Sequence, residues 1–312
     1  MVNPLESQLT DSTIRVLVFG GTGTGKTSLC NTLTGRSRPT GNGARGVTAK
    51  SHLYNAFEHQ GRKIKLFDTV GLHESSFGTV PAEQALGHLV ELLTKSKDGF
   101  SLLIHVTRAS RITKEQEEDY KFFVEKMTQG NIPVLLALTG CENEDPMSAW
   151  LDRNRASFDR FQYKDLIPTC FLAGGKFESH YALLRAQSRE TLLQAVLLNA
   201  LPQPHRLYGK GTGATFSETL TRLWNNVVDW TGLPGEWRGK VNESAFELMK
   251  RLGVPQKIAE LAIKHIPELA KEFGDKMPVP GAGPMARIGM ERVLKILFGK
   301  TGASTKVADE KS

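Results

Sequence analysis

Unbroken apolar runs alternate with stretches of helical rhythm over the first two-thirds of the chain, and the two signals together predict its architecture. Residues 14–19, IRVLVF, are apolar except for Arg15, and comparable runs bounded by turn residues recur near 49–57, 62–67, 100–106, 133–138 and 167–173. Runs of that length read as strands. Between most of them, apolar side chains return every three or four positions, as at Leu86, Leu89, Val90 and Leu93, which predicts helices over 26–35, 79–97, 113–129, 147–160 and 179–200. The second and third strands are separated only by His59, Gln60 and Gly61, a hairpin signal. An N-terminal arm, 1–13, therefore precedes an α/β domain over 14–200, doubly wound, with a mostly parallel sheet and one antiparallel edge.

The pattern changes at 201–214. LPQPHRLYGKGTGA holds two prolines and three glycines, and it reads as a linker; its GKGTG lacks both the preceding strand and the following lysine of a second phosphate loop. Beyond it Phe216, Leu220, Leu223, Trp224 and Val227 form a helical stripe, and further helices are expected over 241–252, 255–273 and 284–299. A small helical C-terminal region, 215–300, with a flexible tail over 301–312 is the expectation. On the last of these helices Ala286, Met290, Val293 and Leu297 share one side, with Arg287, Arg292 and Lys295 elsewhere. That arrangement suits either an anionic membrane surface or docking on the first domain.

Composition narrows the class. With 312 residues, 39% of them apolar, the chain can bury a sizeable core. Its three cysteines, Cys30, Cys141 and Cys170, show neither metal spacing nor a paired framework. The polar start MVNPLESQLTDST is no secretory signal, and no run approaches the ~20 apolar residues of a spanning helix. A cytoplasmic protein, peripheral at a membrane at most, is expected. The formal charge of +7 is uneven: residues 1–200 carry 23 basic and 21 acidic side chains, and residues 201–312 carry 17 and 12. Such a surplus suits an anionic partner or a solvated face of lysine-rich helices, and no specific nucleic-acid binding is expected.

The chemistry lies in Gly20, Gly21, Thr22, Gly23, Thr24, Gly25, Lys26, Thr27 and Ser28, which fit GxxxxGK[ST] directly after the first strand. Glycines let backbone N–H groups turn toward a β-phosphate. Lys26 brings a charge to the β- and γ-phosphates, Thr27 offers a hydroxyl to Mg²⁺, and the helix that follows points its positive end at the anion. This is a nucleoside triphosphate site. Residues 63–71, KIKLFDTVG, then place Asp68 at the end of a strand and Gly71 three positions on. In switch GTPases the Asp of DxxG holds Mg²⁺ through water and the Gly N–H senses the γ-phosphate. A second match, DWTG at 229–232, lies in a helical pattern after the domain has ended. Thr48 stands just before the second strand, where a switch GTPase places the threonine that closes over Mg²⁺. The preceding Gly41, Gly43, Arg45 and Gly46 suit a segment ordered by the triphosphate.

GGTGTGKTSLCNTLTG, VTAK, LFDTVGLHE and SLLIHVTRASRITKEQEEDYKFF together resemble the septin-related GTPases, namely the immunity-associated nucleotide-binding proteins and the plastid outer-envelope import receptors, over residues 14–200. The resemblance implies a Mg²⁺-dependent GTP/GDP-binding G domain that pairs with a second copy across its nucleotide face. It implies guanine recognition by [NT]KxD after the fifth strand. Thr139 and Glu142 occupy the first and last positions of that motif, with the carboxylate one methylene further out. Gly140 lacks the stem that lysine lays over the base. Ala173 and Gly174 fall where a backbone N–H would meet the guanine oxygen. The residue after DxxG, which orients the attacking water in Ras-like enzymes, is Leu72, so His73 and Glu74 are the nearby substitutes. Arg111 occupies the position from which an arginine reaches the partner's phosphates, and Arg108 is the second candidate.

Three readings follow. One is a slow GTPase switch stimulated by G-domain dimerisation, acting on an effector protein. Another is a GTP-dependent scaffold with little hydrolysis. The third, a P-loop ATPase or kinase, gives VT and DxxG no necessary role.

Overall fold

A computed structural model describes residues 13–36, 52–69, 89, 92–93, 95–172, 178–209 and 211–231. The backbone contacts divide the chain into two units, Met1–Arg238 and Gly239–Ser312. All described residues belong to the first. The expected helices over 241–252, 255–273 and 284–299, with the candidate membrane-facing stripe, lie outside the described residues, as do the N-terminal arm except for Thr13 and most of the expected helix over 79–97.

Among the described residues seven strands form one sheet: β1 (Ile14–Phe19), β2 (His52–Leu53), β3 (Phe57–His59), β4 (Arg62–Asp68), β5 (Leu102–Arg108), β6 (Val134–Thr139) and β7 (Tyr163–Pro168). Their order is β2-β4-β1-β5-β6-β7, with β3 also pairing β4. β1 is parallel to β4 on one side and to β5 on the other. Every side chain of β1 and β6 is buried, as continuous apolar strands covered on both faces require. The antiparallel edge is split: β2 and β3 both run against β4, and Tyr54 between them is buried, its N–H donating to Leu66 O at 3.0 Å. The predicted hairpin turn is Gln60–Gly61, both with positive φ (47° and 73°), which matches the twist of paired strands.

Among the described residues five α-helices accompany the sheet: α1 (Lys26–Thr34), α2 (Lys114–Tyr120), α3 (Ala149–Asn154), α4 (Glu178–Asn199) and α5 (Phe216–Thr231). α1 stops at Gly35, whose N–H closes on Asn31 O. α2 opens on a capping box in which Thr113 and Gln116 exchange side-chain bonds with each other's N–H at 3.3 and 3.0 Å. Glu115 and Glu117 in its first turn complement the helix dipole. It passes into a π-helical stretch, Lys121–Met127, that buries Phe122, Phe123, Val124 and Met127. α4 lays Leu192, Leu193 and Val196 into a core shared with Leu29 and Leu33 of α1 and with the central strands. Arg189 of α4 donates to Thr32 O and Leu33 O, at the carbonyl end of α1.

Two expectations shift. The last strand is β7 at 163–168, four residues before the apolar run at 167–173. As an edge strand it carries exposed Lys164 and Asp165 and therefore looks polar, whereas the apolar Cys170 and Phe171 are buried beyond its end. Residues 201–214, expected to link two domains, are built into the first unit. Leu201 N–H donates to Ser101 O, His205 and Phe100 exchange backbone bonds at 2.8 and 3.0 Å, and the Tyr208 hydroxyl donates to Leu93 O. α5 packs there too. It begins on a Thr215–Glu218 capping box, and Leu220, Leu223 and Trp224 are buried. Among the described residues no helix is long and apolar enough to cross a membrane.

Candidate functional site

Parallel pairing sets the carboxyl ends of β1, β4, β5, β6 and β7 along one edge, with Val18 level with Asp68, Phe19 with His105, Arg108 with Thr139, and Leu138 with Pro168. After β1 the chain crosses first toward β4 and later to β5 on the other side. The crevice between such crossovers is where open α/β sheets bind ligands.

The phosphate loop lies at this switch point. Gly20 has φ 140°, and a Cβ there would stand 2.2 Å from Val106 O, so only glycine lets the loop leave β1 pressed against β5. Thr24 folds its hydroxyl back onto Gly21 O at 2.9 Å. Lys26, 7% exposed, lies in the first turn of α1 and donates from Nζ to Gly20 O and Gly21 O, both at 2.7 Å. The ammonium is thereby held against the inner wall of the loop. Thr22 and Gly23 form its exposed tip, and Ser28 sits half-buried on α1.

Asp68 ends β4 almost completely buried, at 2% exposure, and its Oδ2 accepts from the Thr27 hydroxyl at 3.2 Å. The next residue fixes that position: Thr69 donates to Val18 O through both its N–H and its hydroxyl. A hydroxyl and a carboxylate, converging from separate elements beside a buried lysine, are hard oxygen donors of the kind Mg²⁺ prefers. The residues present therefore fit a magnesium-bound polyphosphate.

On the other flank Thr139, ending β6, donates its hydroxyl to Thr24 O at 2.7 Å and stands 3.2 Å from Thr107 O. Its methyl group would be 3.3 Å from a Cβ at Gly25. Thr139 thus joins β6 to the phosphate loop. Glu142 lies two residues past Gly140, and its Oε2 is buried with no hydrogen-bond partner. An acceptor in that condition fits a donor supplied by a ligand, such as the N–H groups of a purine edge. Arg111 is exposed on the loop between β5 and α2, which Ala109 ties back to Thr139 O at 2.7 Å. Thr48, Gly71, Leu72, His73, Glu74, Ala173 and Gly174 lie outside the described residues.

One residue escaped the sequence reading: Thr69, one place past Asp68, is unremarkable in the motif, yet it locks the aspartate's strand to β1. Arg108, expected as the second candidate for reaching a partner's phosphates, lies instead with its guanidinium over Gly140, Nε and one Nη each 3.8 Å from where a Cβ would stand. The thiols beside this loop, Cys141 and Cys170, are buried. Burial pushes Cys141 up to about 11 and also raises Cys170.

A glycine loop between β1 and α1, with an aspartate brought to it by the neighbouring parallel strand, is the working end of a P-loop GTPase G domain, and this chain has that fold. Residues 15–139 match the family model described as 50S ribosome-binding GTPase. Immune-associated nucleotide-binding protein 10 of Arabidopsis thaliana is 34% identical over 104 residues, covering 33% of this chain and 22% of that protein. GTPase Der of Desulfitobacterium hafniense is 24% identical over 203 residues, covering 63% of this chain and 44% of that one. The likeness to an immune-associated G domain extends over 104 residues, and the chain spans less than half the length of these two relatives. Among solved structures, Toc33 from Arabidopsis thaliana in complex with GDP and Mg²⁺ is similar at 17% identity and a TM-score of 0.39, covering 63% of this chain and 90% of that one.

Proposed function

We propose that this protein is a guanine-nucleotide switch that binds GTP and GDP with Mg²⁺ and hydrolyses GTP slowly, faster when two G domains meet. The observation that carries the reading is the pairing of half-buried Thr27 with buried Asp68 at 3.2 Å, beside Lys26 at the switch point of the sheet. Thr27 and Asp68 would hold the metal, and Lys26 would contact the β- and γ-phosphates. Bound Mg²⁺ supplies charge that offsets the phosphates. Thr48 and Gly71 close on the γ-phosphate and relax when it leaves, which is how a local loss of contacts becomes a change of shape. Glu142 reads the guanine edge, while Ala173 and Gly174 offer backbone N–H groups to its oxygen.

Leu72 cannot orient water, so turnover by an isolated domain is slow. His73 is one substitute. Arg111 is the other, reaching the partner's phosphates, where an arginine supplied in trans is worth ~10³ to 10⁵ in rate. Its exposure, on a loop at the same sheet edge as the phosphate loop, supports that role.

The test is phosphate release from GTP and from ATP, measured against protein concentration. Specific activity that rises with concentration, prefers GTP and is lost in Arg111→Ala is expected. Tight GTP binding with flat, negligible turnover would favour the scaffold reading, and a preference for ATP would overturn guanine recognition.

A further inference from the structure

We infer that Arg108 is the residue that covers the face of the nucleotide base, doing with a planar guanidinium what the missing side chain at position 140 would otherwise do. The inference rests on the nucleotide reading above, and it deepens it by naming how the base is held.

Arg108 ends β5 and is paired in register with Thr139, which ends β6. Its backbone is therefore fixed at the same edge of the sheet as the phosphate loop. Gly140 follows with φ 81°, a conformation that turns the chain out of β6 and leaves nothing but Cα on its outer side. The guanidinium is in van der Waals contact with that space, as the two 3.8 Å approaches show. Two residues further on, Glu142 keeps a buried carboxylate oxygen without a partner. A planar cation over the loop and an acceptor within it are the two halves of a purine site, one for the face and one for the edge.

Other uses of Arg108 fit less well. Among the described residues it makes no ion pair with a carboxylate, so it is not a structural anchor. Its side chain is exposed, yet lies back on Gly140 rather than out along β5, which is not the posture of a group reaching for a second molecule. Guanidinium planes stack on nucleobases and combine dispersion with attraction between the cation and the π-face. Lysine at 108 would keep the charge and lose the plane.

Stacking a guanidinium on a base should be worth about tenfold in affinity. The experiment is a titration of fluorescent GDP and ADP into the full chain and into Arg108→Ala and Arg108→Lys, with thermal melting to confirm that both variants fold. Arg108→Ala should weaken GDP and ADP by about the same factor, near tenfold, because every base has a face. Arg108→Lys should recover little of it. GDP affinity unchanged in Arg108→Ala, or fully kept in Arg108→Lys, overturns the inference; a loss of GTP turnover with GDP affinity intact does so too, by assigning Arg108 to the transition state. Failure of the wild-type chain to bind any nucleotide overturns the nucleotide reading as well, whereas GDP binding indifferent to position 108 leaves that reading standing.

Discussion

Replacing Thr139 by Val tests whether β6 and the phosphate loop are joined as one piece. Valine keeps the shape of threonine and its methyl contact with Gly25, and removes only the hydroxyl. That hydroxyl has a single proton. At 2.7 Å Thr24 O is the better acceptor, and Thr107 O at 3.2 Å the weaker one. Thr139 and Thr24 are 7% and 8% exposed, so water does not easily replace the lost donor. A buried hydrogen bond removed in this way costs about 1 to 3 kcal/mol. Urea unfolding followed by tryptophan fluorescence should show a loss of that size in Thr139→Val, and Thr139→Ser should recover most of it. GDP affinity should fall in the valine variant even though no atom that contacts a phosphate has changed, because Thr24 precedes Gly25 and Lys26. A valine variant within ~0.5 kcal/mol of wild type, the scatter of an unimportant surface change, would refute the coupling.

Trp224→Ala should destabilise the first unit by about 3 to 5 kcal/mol, the usual cost of emptying a large aromatic site, since Trp224 is fully buried; a change under ~1 kcal/mol would mean that α5 does not belong to that unit. Asp68→Asn should retain the fold and lower the dependence of nucleotide affinity on Mg²⁺, read by titrating GDP with and without EDTA. Stability should decline on the alkaline side: burial lifts Cys141 to about 11 and Tyr208 to about 12 in the folded chain, so protonation favours the fold fully below their ordinary values near 9 and 10. As pH climbs from 9 toward 12 the unfolded chain ionises first and that advantage is lost, which urea midpoints across the range would register.

How far the sequence carried differs from element to element, for physical reasons. β1, β6 and the phosphate loop were legible because strands buried on both faces are nearly all apolar, Arg15 being the exception in β1, and because a phosphate-binding loop needs glycine and lysine at fixed spacing. Asp68 was legible for the same reason: a charge ending an apolar strand has to be there for something. β7 was misread by four residues, since an edge strand with a wet face hides its pairing while the buried Cys170 and Phe171 beyond it imitate a strand. The segment 201–214 looked like a linker because prolines and glycines also make the tight turns by which a chain is bound to a sheet edge, as His205 and Phe100 show. Arg108 could not be connected to Gly140 from spacing, because the two meet through the register of β5 with β6.

The account stands most directly on Lys26. GDP affinity of the full chain and of Lys26→Ala, measured by calorimetry in the presence of Mg²⁺, is the decisive comparison: the account predicts that the variant folds and loses measurable binding. Affinity equal to that of the wild type would contradict it, because a loop that binds as well without its ammonium is not where the phosphates lie.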